Sequence, residues 1–348
     1  MPRTGQASSG QALTAVFMGT PVAAAEHLQV VAGSPFQVIG VVTQPDRPKG
    51  RGRRLTAPPV KRAAEARGLP VFQPERPSSP EFVERLRELA PSLLVVVAYG
   101  HILTPDILAI PRLGAVNVHF SLLPELRGAA PVFWAIRRGY ERTGVCTMYM
   151  DEGLDTGDVI LSREEPILPA DTTGTLETRL AGIGCELLAD TLRLIADEAA
   201  PRRPQDDARA TRAPLVRKED GVVDWSEPAA SIERLVRACQ PWPGAVTTVD
   251  GRLLQITESA VAEFAGREGQ PGEIVEVTND AGLIVAAGSG FLRVTEVQPA
   301  GRRRMDASAF ARGARLAPGV CLVGAASASG SHLPGRRREA SRRRSASQ

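Results

Sequence analysis

Residues 92–100 read SLLVVVAYG, an apolar run bounded by Pro91 and Gly100. A continuous run of this kind is typical of a strand that is buried on both faces of a sheet. On both sides of it, strand patterns such as FQVIGVVT (36–43) alternate with helix patterns such as PEFVERLREL (80–89). Regular alternation with short connections favours a parallel sheet with helices on both faces. The predicted fold class is therefore α/β, with a doubly wound, mostly parallel sheet.

The pattern changes after a long amphipathic helix pattern that ends near residue 198. Residues 199–214, AAPRRPQDDARATRAP, are polar, contain three prolines and show no apolar period, which is typical of an interdomain linker. One helix pattern and several short strand patterns punctuated by glycines follow, and they predict a small antiparallel β-barrel. The predicted organisation is a first domain over 12–198, a linker over 199–214, a barrel domain over 215–322 and a disordered basic tail over 323–348.

Composition excludes several classes of protein. The 348 residues include 42 Lys and Arg against 39 Asp and Glu. Residues 336–348 alone hold six arginines and one glutamate, so the rest of the chain is nearly neutral and a basic site must be a local patch. The four cysteines lack paired spacing, which argues against a disulfide framework or a zinc site. No apolar run approaches a membrane span, and the N-terminus lacks the apolar core of a secretion signal. We therefore expect a cytoplasmic protein.

Two polar residues interrupt the next strand pattern, in AVNVHFSLLPELRGAAP (115–131). Side chains alternate faces along a strand, so Asn117 and His119 point the same way, roughly 6.5–7 Å apart, while Val116 and Val118 point the opposite way. They could be satisfied core polar groups. However, the carboxyl ends of strands in open α/β sheets are where ligand sites form, and a proline- and glycine-containing loop follows at once. The pair is therefore a candidate functional site.

A second polar segment follows in MDEGLDTGDVI (150–160). Its glycines allow the loop to fold back and bring a carboxylate over a neighbouring strand end. A carboxylate, an imidazole and a carboxamide together can transfer protons and stabilise developing charge. No second histidine lies nearby and no cysteine shares the loop, so metal chemistry is not expected. A serine–histidine hydrolase order is not evident either.

The motifs together resemble a known family. NVHFSLLPELRGAAP followed by GLDTGD is similar to the formyltransferase family that uses 10-formyltetrahydrofolate, whose triad is Asn-x-His plus the Asp of LDTG. Other segments narrow the resemblance to the methionyl-tRNA formyltransferases: FMGTP (17–21), TQPDRPKGRGRRLTAPPVK (43–61), LVVVAYGHILTP (94–105), RKEDGVVDW (217–225) and PWPGA (241–245). The resemblance implies a Rossmann-like formyltransferase domain followed by an OB-like barrel.

The resemblance also implies a reaction. The formyl group of 10-formyltetrahydrofolate, a cosubstrate, would be transferred to the α-amino group of methionine on initiator methionyl-tRNA, for translation initiation. The implied catalytic residues are Asn117, His119 and Asp155, and no metal is implied. The implied folate-binding residues are Ser121, Leu122, Leu123 and Pro124. We expect a monomer whose partners are this tRNA and the folate, with no membrane partner.

Basic residues form two clusters that the resemblance relates to tRNA. A charge run is often only a solvated loop. DRPKGRGRRL (46–55), however, follows a strand end on the side of the triad, and such a loop can order on an RNA. The implied tRNA-binding residues are Arg47, Lys49, Arg51, Arg53 and Arg54 in this run, and Arg302, Arg303 and Arg304 in the barrel. The position that matches the key arginine of the family is Arg51.

Two alternative functions remain open at this point. A sugar-nucleotide or glycinamide ribonucleotide formyltransferase would share the catalytic domain, although the 43–55 insertion and PWPGA weigh against both. A noncatalytic tRNA- or folate-binding protein would be expected to have a broken triad, and all three residues are present. The chain departs from the family pattern at Glu125, where a basic residue is common, at Arg212, where a tyrosine is expected, and beyond about residue 323.

Overall fold

The computed structural model describes residues 12–49, 54–279 and 281–324, and the chain divides into two compact units. One unit comprises residues through Asp220 together with Arg234–Gly244, and the other comprises Gly221–Glu233 and the residues from Ala245 onward. Residues 199–214 therefore lie entirely within the first unit. The domain boundaries drawn from the sequence stay predictions.

The first unit alternates strands and helices along the chain. Its strands are β1 (Thr14–Gly19), β2 (Gln37–Val42), β3 (Arg47–Lys49), β4 (Arg54–Thr56), β5 (Val71–Phe72), β6 (Leu93–Val97), β7 (Ala115–His119), β8 (Arg142–Tyr149) and β9 (Val159–Pro166). Its helices are α1 (Val22–Ala32), α2 (Pro59–Glu65), α3 (Pro80–Leu89), α4 (Pro105–Leu108), α5 (Pro131–Arg138) and α6 (Thr173–Ala196).

Seven of these strands form one sheet in the order β5-β2-β1-β6-β7-β8-β9. The first five in that order are parallel, whereas β8 is antiparallel to β7 and β9 is antiparallel to β8. Strand β6 is central, and all five of its residues are buried. The predicted α/β class with a mostly parallel sheet is confirmed. Strand order reverses between β1 and β6, and such a point opens a crevice at the carboxyl ends of the strands.

Helix α6 shows how the sequence builds the layer that covers the sheet. The Thr172 hydroxyl accepts a hydrogen bond from the Thr175 amide at 3.2 Å, and the Thr175 hydroxyl accepts one from the Thr172 amide at 2.9 Å. This reciprocal cap satisfies two amides at the start of the helix. Leu176, Leu180 and Leu188 then recur at helical spacing and are fully buried. The helix therefore begins at a defined residue and buries one face.

Strands β3 and β4 pair as a two-stranded hairpin, with Arg47 opposite Thr56 and Lys49 opposite Arg54. At its base, both Asp46 carboxylate oxygens accept hydrogen bonds from Lys61 Nζ, at 3.0 and 2.9 Å, and Gln73 donates another at 2.8 Å. The hydrogen bonds from Gln73 and Lys61 lower the pKa of Asp46. The basic run is thus anchored at its base to the first unit.

A buried histidine lies on the opposite side of α1 from solvent. His27 is fully buried, and its Nδ1 is 2.7 Å from the Ala23 carbonyl oxygen. A carbonyl only accepts, so Nδ1 carries the hydrogen. Nε2 is buried with no hydrogen-bond partner in the part of the chain that the structure describes. Burial lowers the pKa of His27 below 6.5, and the Ala23 hydrogen bond opposes that shift only in part.

This burial predicts an acid-sensitive stability. The unfolded chain takes up a proton on His27 as the pH falls below about 6.5, whereas the folded chain resists it, so the free energy of unfolding should fall with pH in that window. His27→Asn keeps a donor for Ala23 but cannot take up the proton, so its unfolding free energy should depend less on pH between about 5 and 6.5. Urea titrations of both proteins across that range measure this; parallel curves would contradict it.

The second unit contains a curled antiparallel sheet. Helix α7 (Ala229–Ala238) precedes it, and the boundary between the units falls within this helix. The strands are β10 (Ala245–Val249), β11 (Arg252–Ala262), β12 (Ile274–Val277), β13 (Leu283–Ala286), β14 (Phe291–Pro299), β15 (Met305–Asp306) and β16 (Val323–Gly324), with α8 (Ala307–Ala314) before the last of them.

The strand order β12-β13-β14-β11-β10-β16 is curled so that its two edges approach each other. Ile274 N donates to Val320 O at 2.8 Å, and Leu322 N donates to Gly272 O at 2.7 Å, which joins the β12 edge to the segment before β16. The predicted antiparallel, barrel-like second fold is confirmed. Val323 and Gly324 pair with β10, so the ordered fold extends past the predicted start of the tail at 323. Residues 325–348 lie outside the described residues.

Two further sequence expectations meet the structure here. All four cysteines are free thiols. Across residues 12–49, 54–279 and 281–324, no helix is both long and apolar enough to cross a membrane.

Candidate active site

Strand β7 carries the two polar residues that the sequence pattern singled out. Val116 and Val118 are buried on one face, so Asn117 and His119 lie on the other. His119 is 5% exposed, whereas Asn117 is half-buried. Among the described residues, the Asn117 carboxamide has no hydrogen-bond partner. Its polar atoms therefore remain available on the face that also carries the imidazole.

His119 is held by the loop that follows it. Its Nε2 is 3.0 Å from the Leu126 carbonyl oxygen. Because the carbonyl can only accept, this contact assigns the hydrogen to Nε2. The ring is thereby oriented with Nδ1 towards Asp155, whose Oδ2 lies 3.7 Å away. At this separation the two atoms are too far apart to form a hydrogen bond.

Asp155 reaches His119 from an unexpected direction. Tyr149, the last residue of β8, is paired with Val116 near the start of β7. The loop after β8 must therefore run along β7 from Val116 towards His119, a distance of three residues or about 10 Å, to bring Asp155 beside His119. Asp155 has a left-handed backbone with φ of +56°. At Gly157 an added Cβ would lie 1.9 Å from the Tyr149 carbonyl oxygen, so only glycine fits there.

The Asp155 carboxylate has a second partner that sequence reasoning did not find. The Gly128 amide donates to Asp155 Oδ2 at 2.8 Å. Gly128 belongs to the RGAA turn that follows SLLPEL, so one loop contacts both His119, through Leu126, and Asp155. The structure therefore brings His119 and Asp155 together at the end of β7, with Asn117 on the same strand face.

A strap formed by residues 203–214 holds this loop in place. The Leu126 amide donates to the Thr211 hydroxyl at 2.9 Å, the Arg127 amide donates to Thr211 O at 2.9 Å, and the Ala213 amide donates to Arg127 O at 2.7 Å. The carbonyl of Arg212 accepts from Arg138 Nη2 at 2.8 Å. Position 212, where the family pattern expects tyrosine, thus contributes a backbone contact to the strap.

The SLLP residues form the first part of the same loop. Ser121 is fully buried, and its hydroxyl donates to the Glu125 carbonyl at 2.6 Å. Leu122 packs over β8, where a Cβ added at Gly144 would be 2.6 Å from its Cδ2. Leu123 and Pro124 are half-buried. The Ser121 hydroxyl is therefore already hydrogen-bonded within the loop. The next three residues, Leu122 to Pro124, are half-buried parts of the same loop.

The crevice between β1 and β6 is the other feature expected of a ligand site. The Tyr99 carbonyl accepts hydrogen bonds from the Thr20 hydroxyl and the Gln44 carboxamide, both at 3.1 Å. The Tyr99 hydroxyl and His101 Nε2 are buried and have no hydrogen-bond partner within the described part of the chain. Burial raises the pKa of Tyr99 to about 12. Polar groups thus converge at the carboxyl end of β6.

The basic residues fall in separate places. Arg47 and Lys49 lie on β3 and Arg54 begins β4, whereas Arg51 and Arg53 lie outside the described residues. In the second unit, Arg302, Arg303 and Arg304 are exposed between β14 and β15. Arg302 lines an open cavity of about 500 Å³ together with Arg252 and Phe310.

A buried imidazole beside a carboxylate, with a carboxamide on the same strand, is an arrangement that can transfer protons and stabilise developing negative charge. Residues 13–192 match the family described as formyl transferase, and residues 215–315 match the formyl transferase C-terminal domain. The chain belongs to the formyl transferase family, among the methionyl-tRNA formyltransferases. The resemblance of the sequence motifs to this family is confirmed.

Two relatives illustrate that membership. The methionyl-tRNA formyltransferase of Geobacter metallireducens is 47% identical over 89% of this chain and 98% of its own length. That of Syntrophus aciditrophicus is 46% identical over 89% of this chain and 99% of its own length. Among solved structures, WlaRD, a sugar 3N-formyltransferase crystallised in the presence of dTDP and 5-N-formyl-THF, superimposes with a TM-score of 0.61. It is 16% identical and covers 84% of this chain and 100% of its own, so it supports the fold alone.

Proposed function

We propose that this protein transfers the formyl group of 10-formyltetrahydrofolate to the α-amino group of methionine on initiator methionyl-tRNA. The observation that carries the proposal is the 3.7 Å approach of Asp155 to His119 on the strand that also presents Asn117. These are the three residues that the formyltransferase motif requires. Relatives that are nearly half identical to this chain are named methionyl-tRNA formyltransferase, and their name indicates methionyl-tRNA as the acceptor of the formyl group.

The chemistry follows from the groups present. An α-amine has a reference pKa of about 7.7–8.0, so a useful fraction is neutral and nucleophilic near pH 7. The Asn117 carboxamide and His119 can donate hydrogen bonds to the oxygen that gains negative charge when the amine attacks the formyl carbon. Because Nε2 is engaged with Leu126, Nδ1 is the nitrogen of His119 that can donate to this oxygen, and it does so when it carries a proton. Asp155 would receive the proton that the amine loses and return it to the leaving nitrogen.

The folate would bind where the loop after β7 meets the crevice between β1 and β6. The Thr20 hydroxyl and the Gln44 carboxamide, which meet at the Tyr99 carbonyl, together with the half-buried residues after Ser121, fit a flat heterocycle with several donors and acceptors. Leu122, Leu123 and Pro124 would supply apolar contact and backbone groups. Ser121 would act through the shape of the loop, because its hydroxyl is already bonded to Glu125.

The tRNA would contact both basic clusters. Arg47, Lys49 and Arg54 lie on the paired strands β3 and β4. Together with Arg51 and Arg53, which connect these strands in the sequence, they would contact the acceptor end of the tRNA. Arg302, Arg303 and Arg304 offer the second unit a phosphate-binding surface. The predicted roles for the domains follow: catalysis in 12–198 and tRNA binding in 215–322. We also propose that the protein acts as a monomer in the cytoplasm.

The direct test is transfer of labelled formyl from 10-formyltetrahydrofolate to charged initiator and elongator methionyl-tRNA, side by side. The proposal expects transfer to the initiator and little to the elongator. A sugar-nucleotide amine or glycinamide ribonucleotide formylated in preference to methionyl-tRNA would overturn it.

Arg51→Ala should weaken tRNA affinity strongly and folate affinity little. Arg51 lies between Gly50 and Gly52, and its planar guanidinium can bind phosphate oxygens bidentately or stack on an unpaired base. Loss of one phosphate contact should make the negative slope of log affinity against log salt shallower by about 0.7–0.9. If Arg51 reads a base instead, the slope should stay and initiator selectivity should fall.

The measurement is a salt titration of tRNA affinity for wild type, Arg51→Ala and Arg112→Ala. Arg112 is an exposed arginine outside the hairpin, so its loss controls for a general change in charge. Affinity, slope and selectivity that match the control would show that the hairpin arginine does not touch tRNA.

A further inference from the structure

One side chain of the strap joins the two loops that carry the active-site residues. The Gln205 Oε1 accepts hydrogen bonds from Arg127 Nε at 3.0 Å and Nη2 at 2.8 Å. Its Nε2 donates to the carbonyl oxygens of Asp155, at 2.8 Å, and Gly157, at 2.7 Å. Both ends of the carboxamide are therefore fully used, one on each loop.

We propose that Gln205 is a positioning residue for the His119–Asp155 pair, a role that rests on the proposed formyl transfer. Arg127 directly precedes Gly128, whose amide donates a hydrogen bond to the Asp155 carboxylate. The Gln205 carboxamide donates a hydrogen bond to the backbone carbonyl of the same aspartate. Main chain and side chain of Asp155 are thus tied to one loop, and that loop also holds His119 through Leu126.

Asp155 needs this support because its conformation is unfavourable on its own. A left-handed backbone at φ +56° costs a non-glycine residue free energy, and such residues persist only where neighbouring contacts enforce them. The loop has also returned about 10 Å along β7 from where β8 ended. Without the two bonds from Nε2, the Asp155 carbonyl would lose the strap contact that resists this unfavourable backbone.

Arg127 is bonded by a second strap residue, Asp207, which allows the roles of Gln205 and Asp207 to be compared. Arg127 is 8% exposed, and its Nη2 also donates to Asp207 Oδ1 at 2.8 Å. The Asp207 side chain is 83% exposed and belongs to the same strap. Asp207 supports only the arginine, whereas Gln205 supports the arginine and the Asp155 loop. Variants at these two positions therefore separate support of Arg127 from positioning of Asp155.

Gln205→Glu is the most informative substitution. A glutamate of the same length keeps an acceptor for Arg127, but it replaces the amide donor with an oxygen that repels the carbonyls of Asp155 and Gly157. We expect kcat to fall roughly 10- to 100-fold through misplacement of the carboxylate. KM for folate and tRNA should stay within about threefold, because binding surfaces are untouched. Asp207→Asn should retain near wild-type kcat.

A spectroscopic readout tests the position directly and needs no substrate. The chain has four histidines, so the imidazole signals of ¹⁵N-histidine-labelled protein can be assigned with His119→Ala. The His119 signal should move in Gln205→Glu and not in Asp207→Asn, while the His27 signal stays in both. If Gln205→Glu does not fold, uncharged Gln205→Met removes the same donors together with the Arg127 acceptor, and its His119 signal is compared with that of Asp207→Asn, which perturbs the arginine alone.

An unmoved His119 signal, or equal kcat losses in the Gln205 and Asp207 variants, would overturn the positioning role. Failure of wild type to formylate methionyl-tRNA would instead overturn the proposed function. The His119 signals of the three proteins would still decide whether Gln205 positions the pair.

Discussion

His119→Ala and Asp155→Asn should each lower kcat for formyl transfer by about 10²- to 10³-fold while the protein stays folded. His119 supplies the donor at Nδ1, and Asp155, the proton acceptor, lies 3.7 Å from that nitrogen. Asparagine at 155 keeps an oxygen that can accept from the Gly128 amide, so the loop anchor survives. The substitution therefore removes the charge and the proton acceptor without removing the anchor.

Asp158→Asn is the matched control for Asp155→Asn. It lies on the same loop, and its carboxylate faces Arg202, 3.7 Å away, rather than His119. Its rate should be near that of wild type. Single-turnover rates at saturating tRNA, together with melting temperatures, measure the effect on all three proteins. A well-folded His119→Ala protein with near wild-type rate would end the proposed mechanism.

Much of the fold was accessible from sequence because its signals are local. The apolar run in β6 predicted a strand buried on both faces, and alternation in β7 placed Asn117 and His119 on one face. Glycines in the loop after β8 predicted that it could fold back. These features depend on the period of a strand and on backbone freedom, and both can be read over a few residues.

The strap was not accessible in the same way. Its sequence is polar and has no apolar period, which predicts a linker, yet Gln205 and Thr211 bind backbone groups far away in the chain. Such contacts depend on long-range geometry rather than on local pattern. The antiparallel direction of β8 was equally hidden, because a strand pattern alone carries no direction. That direction determines how far the Asp155 loop must travel.

The close contact between the strap and the turn at Gly128 predicts a second large effect, that of the substitution Gly128→Ala. The φ of Gly128 is +133°, a region that only glycine adopts readily, and an added Cβ would lie 2.3 Å from the Ala213 carbonyl oxygen. That oxygen belongs to the strap backbone, so it cannot move aside as a flexible side chain could. Gly128→Ala must therefore displace either the strap or the turn whose amide holds Asp155.

We expect Gly128→Ala to lose about 1–3 kcal/mol of unfolding free energy from backbone strain, with the clash added to it. Formyl transfer should fall by roughly 10²-fold, since the carboxylate would shift by an ångström or so. Gly68→Ala is the control: φ there is +65°, and nothing lies within 4 Å of the added Cβ. It should cost about 1–2 kcal/mol and leave the rate unchanged. Urea denaturation and single-turnover rates on both variants separate the outcomes. If Gly128→Ala matched Gly68→Ala in rate, the close contact between strap and turn would not control the position of Asp155.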